Sequence, residues 1–270
     1  MAMIASARGF LKRNMNPVTF RAVCLCWWYG KVYLTRKVTS VVIRRTPVVY
    51  GQPSDFVDQL RAINTFAPTA MCRIMTKYGS DKGNGWHNYT AVYSELFGVL
   101  RGRALRIFEL GLGTNNPELA STMGVDGRPG ASLRGWRELF PKALVFGADI
   151  DRNILFTDDR IQTFYCDQLD ANAIRDLWAQ PALQDEMDIL IDDGLHRLAG
   201  NASFLAGSLA HLRVGGVYVV EDIRGVELKE WQEHLLGFAS QYPNYDFALV
   251  ELPSDHNDYD NNLLLIRRRS

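Results

Sequence analysis

The chain has 270 residues and 47% of them are hydrophobic, enough for one large domain or two small ones with a substantial core, which excludes a disordered tail. Its 30 basic residues match 30 acidic ones, so the overall charge gives no reason to expect a nucleic-acid partner. The balance is uneven along the chain, because nine of the basic residues and none of the acidic ones precede Asp55.

Residues 1–54 therefore read as a basic, aromatic N-terminal arm that carries Trp27, Trp28, Tyr29, Tyr33 and a β-branched run at 38–43. Its most apolar stretch, residues 22–29, is far shorter than the roughly 20 residues that span a bilayer. Basic residues interleaved with aromatics suit peripheral contact with an anionic membrane, a partner subunit, a second copy of the chain in a homo-oligomer, or the acidic body itself. Cys24, Cys26, Cys72 and Cys166 show no CxxC or paired-knuckle spacing, and no stretch reads as a secretory signal, so a reducing, cytoplasmic location is expected.

The remaining residues, 55–270, read as one domain. Helical patterns run to about residue 104. Short apolar runs then follow at 104–110, 143–150, 160–166, 187–191 and 216–220, as expected of strands buried on both faces. Helices are predicted between them at 116–123, 133–139, 171–178, 201–212 and 228–241. Two further strands, 246–252 and 263–267, have no helix between them and read as an antiparallel hairpin at the sheet edge. The β-α-β rhythm predicts an α/β fold, a mostly parallel sheet with helices on both faces.

In such a sheet ligands bind beyond the carboxyl ends of the strands, and those ends are polar here. After the first strand come Glu109, Gly111, Gly113 and Thr114, where the glycines allow close backbone approach to a ligand. A dinucleotide fingerprint would place a third glycine at 116, where Asn116 stands, and its ribose acid about 20 residues on rather than at Asp149. That pattern favours a cofactor without a pyrophosphate, such as S-adenosylmethionine. Asp149 suits the two ribose hydroxyls, and Asp167 an adenine amino group. Beyond the fourth and fifth strands lie Asp192, Asp193, His196, Glu221 and Asp222. Carboxylates brought this close repel unless protonated or bridged by a cation, and a hard ion, Mg²⁺ first, fits oxygen donors. His196 suits a general base over the same site. His87, Tyr89 and Tyr93 precede the first strand, where a lid over the cofactor would begin. Residues 253–262 are expected to contribute to the acceptor pocket.

The motifs Y-G-S-D-K (78–82), H-N-Y (87–89), E-L-G-L-G-T (109–114), S-L-R-G-W (132–136), G-A-D-I-D (147–151), I-D-D-G-L-H (191–196) and G-G-V-Y-V-V-E-D (215–222) together resemble the metal-dependent class I S-adenosylmethionine O-methyltransferases of the macrocin and mycinamicin type. These methylate sugar hydroxyls on macrolides and related glycosides. The resemblance covers about residues 76–223, and Leu195 departs from it where Ser is commoner. It implies a Rossmann-like class I methyltransferase fold, with a seven-stranded sheet whose last strand is antiparallel. It implies Mg²⁺ on Asp193, Glu221 and Asp222, catalysis by His196 with Asp193, and a glycoside acceptor. For the cofactor it implies Glu109, Gly111, Gly113, Thr114, Asp149, Asp167, Gln168, Asp192, Tyr78 and Tyr89. Two alternatives stand beside it: a hydroxylase-like relative, since cephalosporin hydroxylase-like proteins resemble the same D-D-x-x-H and E-D pattern, and a non-catalytic, membrane-docked accessory protein.

Overall fold

The computed structural model describes residues 46–83 and 85–269. Most of the predicted arm, including Trp27, Trp28 and the run at 38–43, lies outside the described residues. Among the described residues no helix is long and apolar enough to cross a membrane.

Among the described residues the first element is a strand, β1 (Val48–Gly51), followed by three helices, α1 (Asp55–Arg61), α2 (Ala70–Tyr78) and α3 (Tyr89–Phe97). Local sequence sets their ends. Ser54 caps α1 by accepting from the Val57 N–H at 3.3 Å, and Thr69 caps α2 by accepting from the Cys72 N–H at 3.1 Å. Gly79, at φ 90°, ends α2 in the left-handed conformation. The chain then alternates: β2 (Arg106–Leu110), α4 (Ala131–Leu139), β3 (Leu144–Asp149), β4 (Thr157–Asp158), β5 (Ile161–Tyr165), α5 (Ala171–Trp178), β6 (Met187–Asp192), α6 (Leu198–Ser208), β7 (Leu212–Val220), α7 (Leu228–Gln241), β8 (Tyr245–Glu251) and β9 (Asn262–Arg268).

The nine strands of the described residues form one sheet in the order β1-β8-β9-β7-β6-β2-β3-β5-β4. The five from β5 to β7 are parallel, and β9 runs antiparallel to both β7 and β8. The predicted seven strands and reversed last strand are present. Two short edge strands are added, β4 in a hairpin with β5 and β1 beside β8. The sheet thus begins at Val48, inside the stretch read from sequence as arm, because the Val48-Val49 pair docks its backbone on Glu251 and Val250.

Alternation along the strands divides the core. Ile107, Ile189, Ile191, Val217 and Val219 pack on the face covered by α1 to α4, while Phe108, Leu110, Leu190, Tyr218 and Val220 pack on the face covered by α5 to α7. The helix predicted at 116–123 is absent, and α4 starts only at Ala131. Side chains there compete with helical bonds: Asn115 Nδ2 donates to the carbonyls of Gly124 and Gly127, and the Thr122 hydroxyl donates to that of Thr114. The 111–130 segment becomes a long loop over the ends of β2 and β3.

Candidate active site

Sheet register brings the polar strand ends together. Leu110 pairs with Ala148 and with Asp192, and Asp192 pairs with Val220, so the residues just beyond them emerge side by side. Backbone bonds continue the alignment past the strands, from the Gly111 N–H to Ala148, from Asp193 to Leu110 and from Glu221 to Asp192, each 2.9 Å long. Gly111 is held at φ 90°, and a Cβ on it would lie 1.9 Å from the carbonyl oxygen of Asp193. Only glycine permits that crossing.

Above these ends lies a cavity of about 330 Å³, within the range of small-molecule sites. Its lining includes Gly111, Gly113, Thr114, Asp149, Asp167 and Gln168, all named from the sequence as cofactor residues. The same cavity extends to Lys82, His87, Asp193, His196 and Asp222. Asp149 is oriented by two backbone donors, the Leu112 N–H on Oδ2 at 2.7 Å and the Asp151 N–H on Oδ1 at 2.8 Å. Burial raises its pKa above the ordinary carboxylate value. Gln168 bridges neighbours, donating to Asp192 at 2.7 Å and accepting from the Leu195 N–H at 2.7 Å.

Four predicted cofactor residues are placed elsewhere. Tyr78 points away, its hydroxyl 2.7 Å from Glu138. Asp192 is fully buried beneath the cavity, bound by Gln168 and by Asn201 Nδ2 at 3.1 Å, and burial pushes its pKa up to about 6. Glu109 is also fully buried and accepts from the Ser132 hydroxyl and the Trp136 Nε1–H, both at 2.6 Å. Tyr89 is fully buried, with its hydroxyl 2.8 Å from Asp222 Oδ1. Asp192, Glu109 and Tyr89 belong to the buried packing, and all four are absent from the cavity lining. A strand-end acid or an aromatic in a motif does not reveal which way its side chain turns.

At the other end, ligand atoms of Asp193, His196 and Asp222 all lie within 4.8 Å of one another. His196 Nε2 is 3.1 Å from Asp193 Oδ1, and its Nδ1 is 3.4 Å from Asp222 Oδ2. His196 and Asp222 both hold left-handed backbone, φ 54° and 55°, a conformation that costs energy and concentrates at functional sites. Burial alone would lower the His196 pKa, but the Asp193 hydrogen bond and the Asp222 charge outweigh it and lift the pKa to about 10. Burial raises Asp222 to about 6. Asp193 titrates well below the usual carboxylate range despite its burial, because Lys82 and His196 favour its charged form.

Glu221, grouped from the sequence with the metal carboxylates, turns the other way. It is 1% exposed; its Oε2 lies 2.5 Å from Lys82 Nζ, and its Oε1 accepts from the Tyr93 hydroxyl. Lys82 was missed as a site residue although it closes the Y-G-S-D-K motif. It is 1% exposed, and its ammonium also contacts Asp193 Oδ2 and lies 3.3 Å from Glu109 Oε1. Three donors thus meet three carboxylates. A lysine in a Gly-rich turn before a helix gave the available signal, but its burial depends on residues 27 to 139 positions away. Of residues 253–262, it is Asn257 and the backbone of Asp260 that reach the site, through His87 and Tyr89, while His256 is exposed.

No family model matches the chain. It is 36% identical over 148 residues to 8-demethyl-8-alpha-L-rhamnosyl tetracenomycin-C 2'-O-methyltransferase of Streptomyces olivaceus, a match covering 55% of this chain and 36% of that protein. It is 30% identical over 172 residues to mycinamicin VI 2''-O-methyltransferase of Micromonospora griseorubida, covering 63% and 38%. Among solved structures, the MycE methyltransferase of the mycinamycin pathway, in complex with Mg, SAH and mycinamycin VI, matches with a TM-score of 0.55 at 25% identity, over 75% of this chain and 54% of that one. The matched part therefore amounts to less than two-fifths of the length of these two curated relatives. Over that part, the chain is similar in sequence and in its Rossmann-like methyltransferase fold to the O-methyltransferases of macrolide and related glycoside pathways, as its motifs suggested.

Proposed function

We propose that this chain is an Mg²⁺-dependent O-methyltransferase that moves the methyl group of S-adenosylmethionine to a sugar hydroxyl of a glycosylated natural product. One observation carries this reading: a single cavity joins the Gly111–Asp149 end, suited to a ribose, to the Asp193–His196–Asp222 cluster. The relatives are O-methyltransferases by name, which favours it over the hydroxylase-like and accessory readings.

The donor set fits a hard divalent ion, since carboxylate oxygens of Asp193 and Asp222 converge at the cavity, with His196 beside them. Asp193 and Asp222 would hold the ion, and Glu221 would join them only by giving up Lys82. When bound, S-adenosylmethionine would supply the sulfonium methyl, and Mg²⁺ would supply positive charge to acidify the acceptor hydroxyl. Asp149 holds the cofactor ribose, and the backbone at Gly111 and Gly113 admits it closely. His196 would take the hydroxyl proton as the oxygen–methyl bond forms and the methyl–sulfur bond breaks, leaving S-adenosylhomocysteine. The carboxylates that lift its pKa to about 10 are the ones an ion would neutralise, so loading the site moves His196 towards the neutral form that a base requires. Orientation of the two reactants in one cavity supplies much of the rate.

The test is transfer of labelled methyl from S-adenosylmethionine to a panel of rhamnosides and macrolide glycosides, with Mg²⁺ and with a chelator. Metal-dependent labelling of a sugar hydroxyl is expected, and absence of S-adenosylmethionine binding by calorimetry in both conditions would overturn the reading. For the N-terminal residues we propose peripheral contact with anionic membranes, on the strength of their basic and aromatic composition. Deleting residues 1–44 should then reduce binding to anionic vesicles, and unchanged binding would refute it.

A further inference from the structure

The donors behind Asp222 are set by a residue far along the chain. His87 is 3% exposed, stacks on Tyr89 with ring centroids 4.5 Å apart, and places Nε2 3.5 Å from Asp222 Oδ1. Its Nδ1 lies 3.3 Å from Asn257 Nδ2. The orientation of the Asn257 amide is fixed by donors that have no ambiguity: the backbone N–H groups of Tyr259 and Asp260 donate to its Oδ1 at 3.0 and 3.4 Å. Its Nδ2 also donates to Asp260 Oδ1 at 2.7 Å. The atom facing His87 Nδ1 is therefore an N–H donor, and Nδ1 has to accept. A neutral imidazole that accepts at Nδ1 carries its proton on Nε2, the nitrogen aimed at Asp222.

We propose that His87 is a positioning residue, kept by Asn257 as the Nε2–H tautomer so that this N–H faces Asp222 Oδ1 at 3.5 Å, biases that oxygen towards His87 and Tyr89, and leaves Oδ2 to His196 and the cavity. The Tyr89 hydroxyl cannot do this alone, because its one proton is contested by the carbonyl of Asp260 at 2.9 Å. Asp193 is treated in the same way, with Oδ2 on Lys82 and Oδ1 towards His196. Each of the two carboxylates is tethered by one oxygen and open at the other. On Asp222 the tether is a neutral donor, which orients the carboxylate without adding a charge that would repel a cation.

The geometry stands without the metal reading, but its consequence for affinity rests on it. Partners that orient a metal-ligating group typically change metal affinity about 10- to 100-fold. The experiment is a Mn²⁺ titration of the full chain, followed by electron paramagnetic resonance without cofactor or acceptor, for the wild type, H87A and H87Q. H87A should bind Mn²⁺ about 10- to 100-fold more weakly. H87Q, whose amide nitrogen stands near the lost Nε2, should recover most of the difference, and melting by circular dichroism confirms that both fold. H87A within twofold of the wild type would overturn the proposal. A long-range proton–nitrogen correlation spectrum of histidine-labelled chain reads the tautomer directly. The signal lost in H87Q should be the Nε2–H form, and an Nδ1–H form would equally overturn the proposal. If the wild type bound no Mn²⁺, the metal reading itself would fail, while the spectrum would still decide the tautomer.

Discussion

Replacing Lys82 by Met keeps the side chain's length and removes one buried positive charge. Three carboxylates then lose their shared partner: Glu221 at 2.5 Å, Glu109 at 3.3 Å, and Asp193. Both Glu109 and Glu221 are fully buried, and burial already holds their pKa values above the ordinary range even with Lys82 present. Breaking a buried ion pair by removing one partner costs about 3–5 kcal/mol, since the remaining charge is left uncompensated. For a domain of this size that corresponds to a fall in Tm of roughly 6–20 °C. The loss should shrink at lower pH, because Glu109 and Glu221 take up protons more readily than exposed carboxylates and then need no cation. Urea unfolding of wild type and K82M in a chelator, at pH 7.5 and 5.5, measures both effects. Equal stability of the two proteins at pH 7.5 would refute the assignment of Lys82 as the counter-charge of the acidic cluster.

Gly111→Ala should lower stability by at least about 1–3 kcal/mol and disrupt the site, because the new Cβ meets the Asp193 carbonyl at 1.9 Å at a φ of 90°; thermal unfolding and S-adenosylmethionine calorimetry check the two parts. Trp136→Phe should cost about 1–3 kcal/mol in urea unfolding, since it deprives buried Glu109 of a donor at 2.6 Å. In the metal-free chain the His196 pKa is raised from 6.5 to about 10, so its contribution to stability is full below pH 6.5 and lost as pH rises towards 10. The stability difference between wild type and H196Q, measured by denaturant across that window, should decline accordingly. His196→Asn should abolish transfer and leave Mn²⁺ bound, as expected of a base; loss of Mn²⁺ binding would make His196 a ligand instead.

The parts of the fold and site that could be read from the sequence are those that follow from periodicity and from the rule that strand ends carry ligands. The apolar runs at 104–110, 143–150, 160–166 and 187–191 are strands, and register in a parallel sheet brings Asp149, Asp167 and Asp193, at or just beyond their ends, to one cavity. Direction within the site was not legible in this way. Asp192 and Asp193 are adjacent, yet alternation sends one into the packing against Asn201 and the other to the cavity. Glu221 turns inward because Lys82 and Tyr93 reach it from α3 and the turn before it, contacts that spacing alone does not predict. The helix expected at 116–123 failed because Asn115, Asn116 and Thr122 bond to nearby backbone groups. Asn257 itself gave no signal within a loop expected to contribute to the acceptor pocket, and its role emerged from the two backbone donors that fix its amide.

Methyl transfer at this site requires that cofactor and ion occupy one cavity a few ångströms apart, whatever the acceptor. The most direct measurement is the paramagnetic relaxation of the methyl carbon of ¹³C-methyl S-adenosylmethionine bound to the Mn²⁺-loaded chain, with D193N as control. Strong relaxation enhancement in the wild type that vanishes in D193N is the predicted result. Saturating both ligands with no enhancement would place them in separate sites and contradict the proposed chemistry.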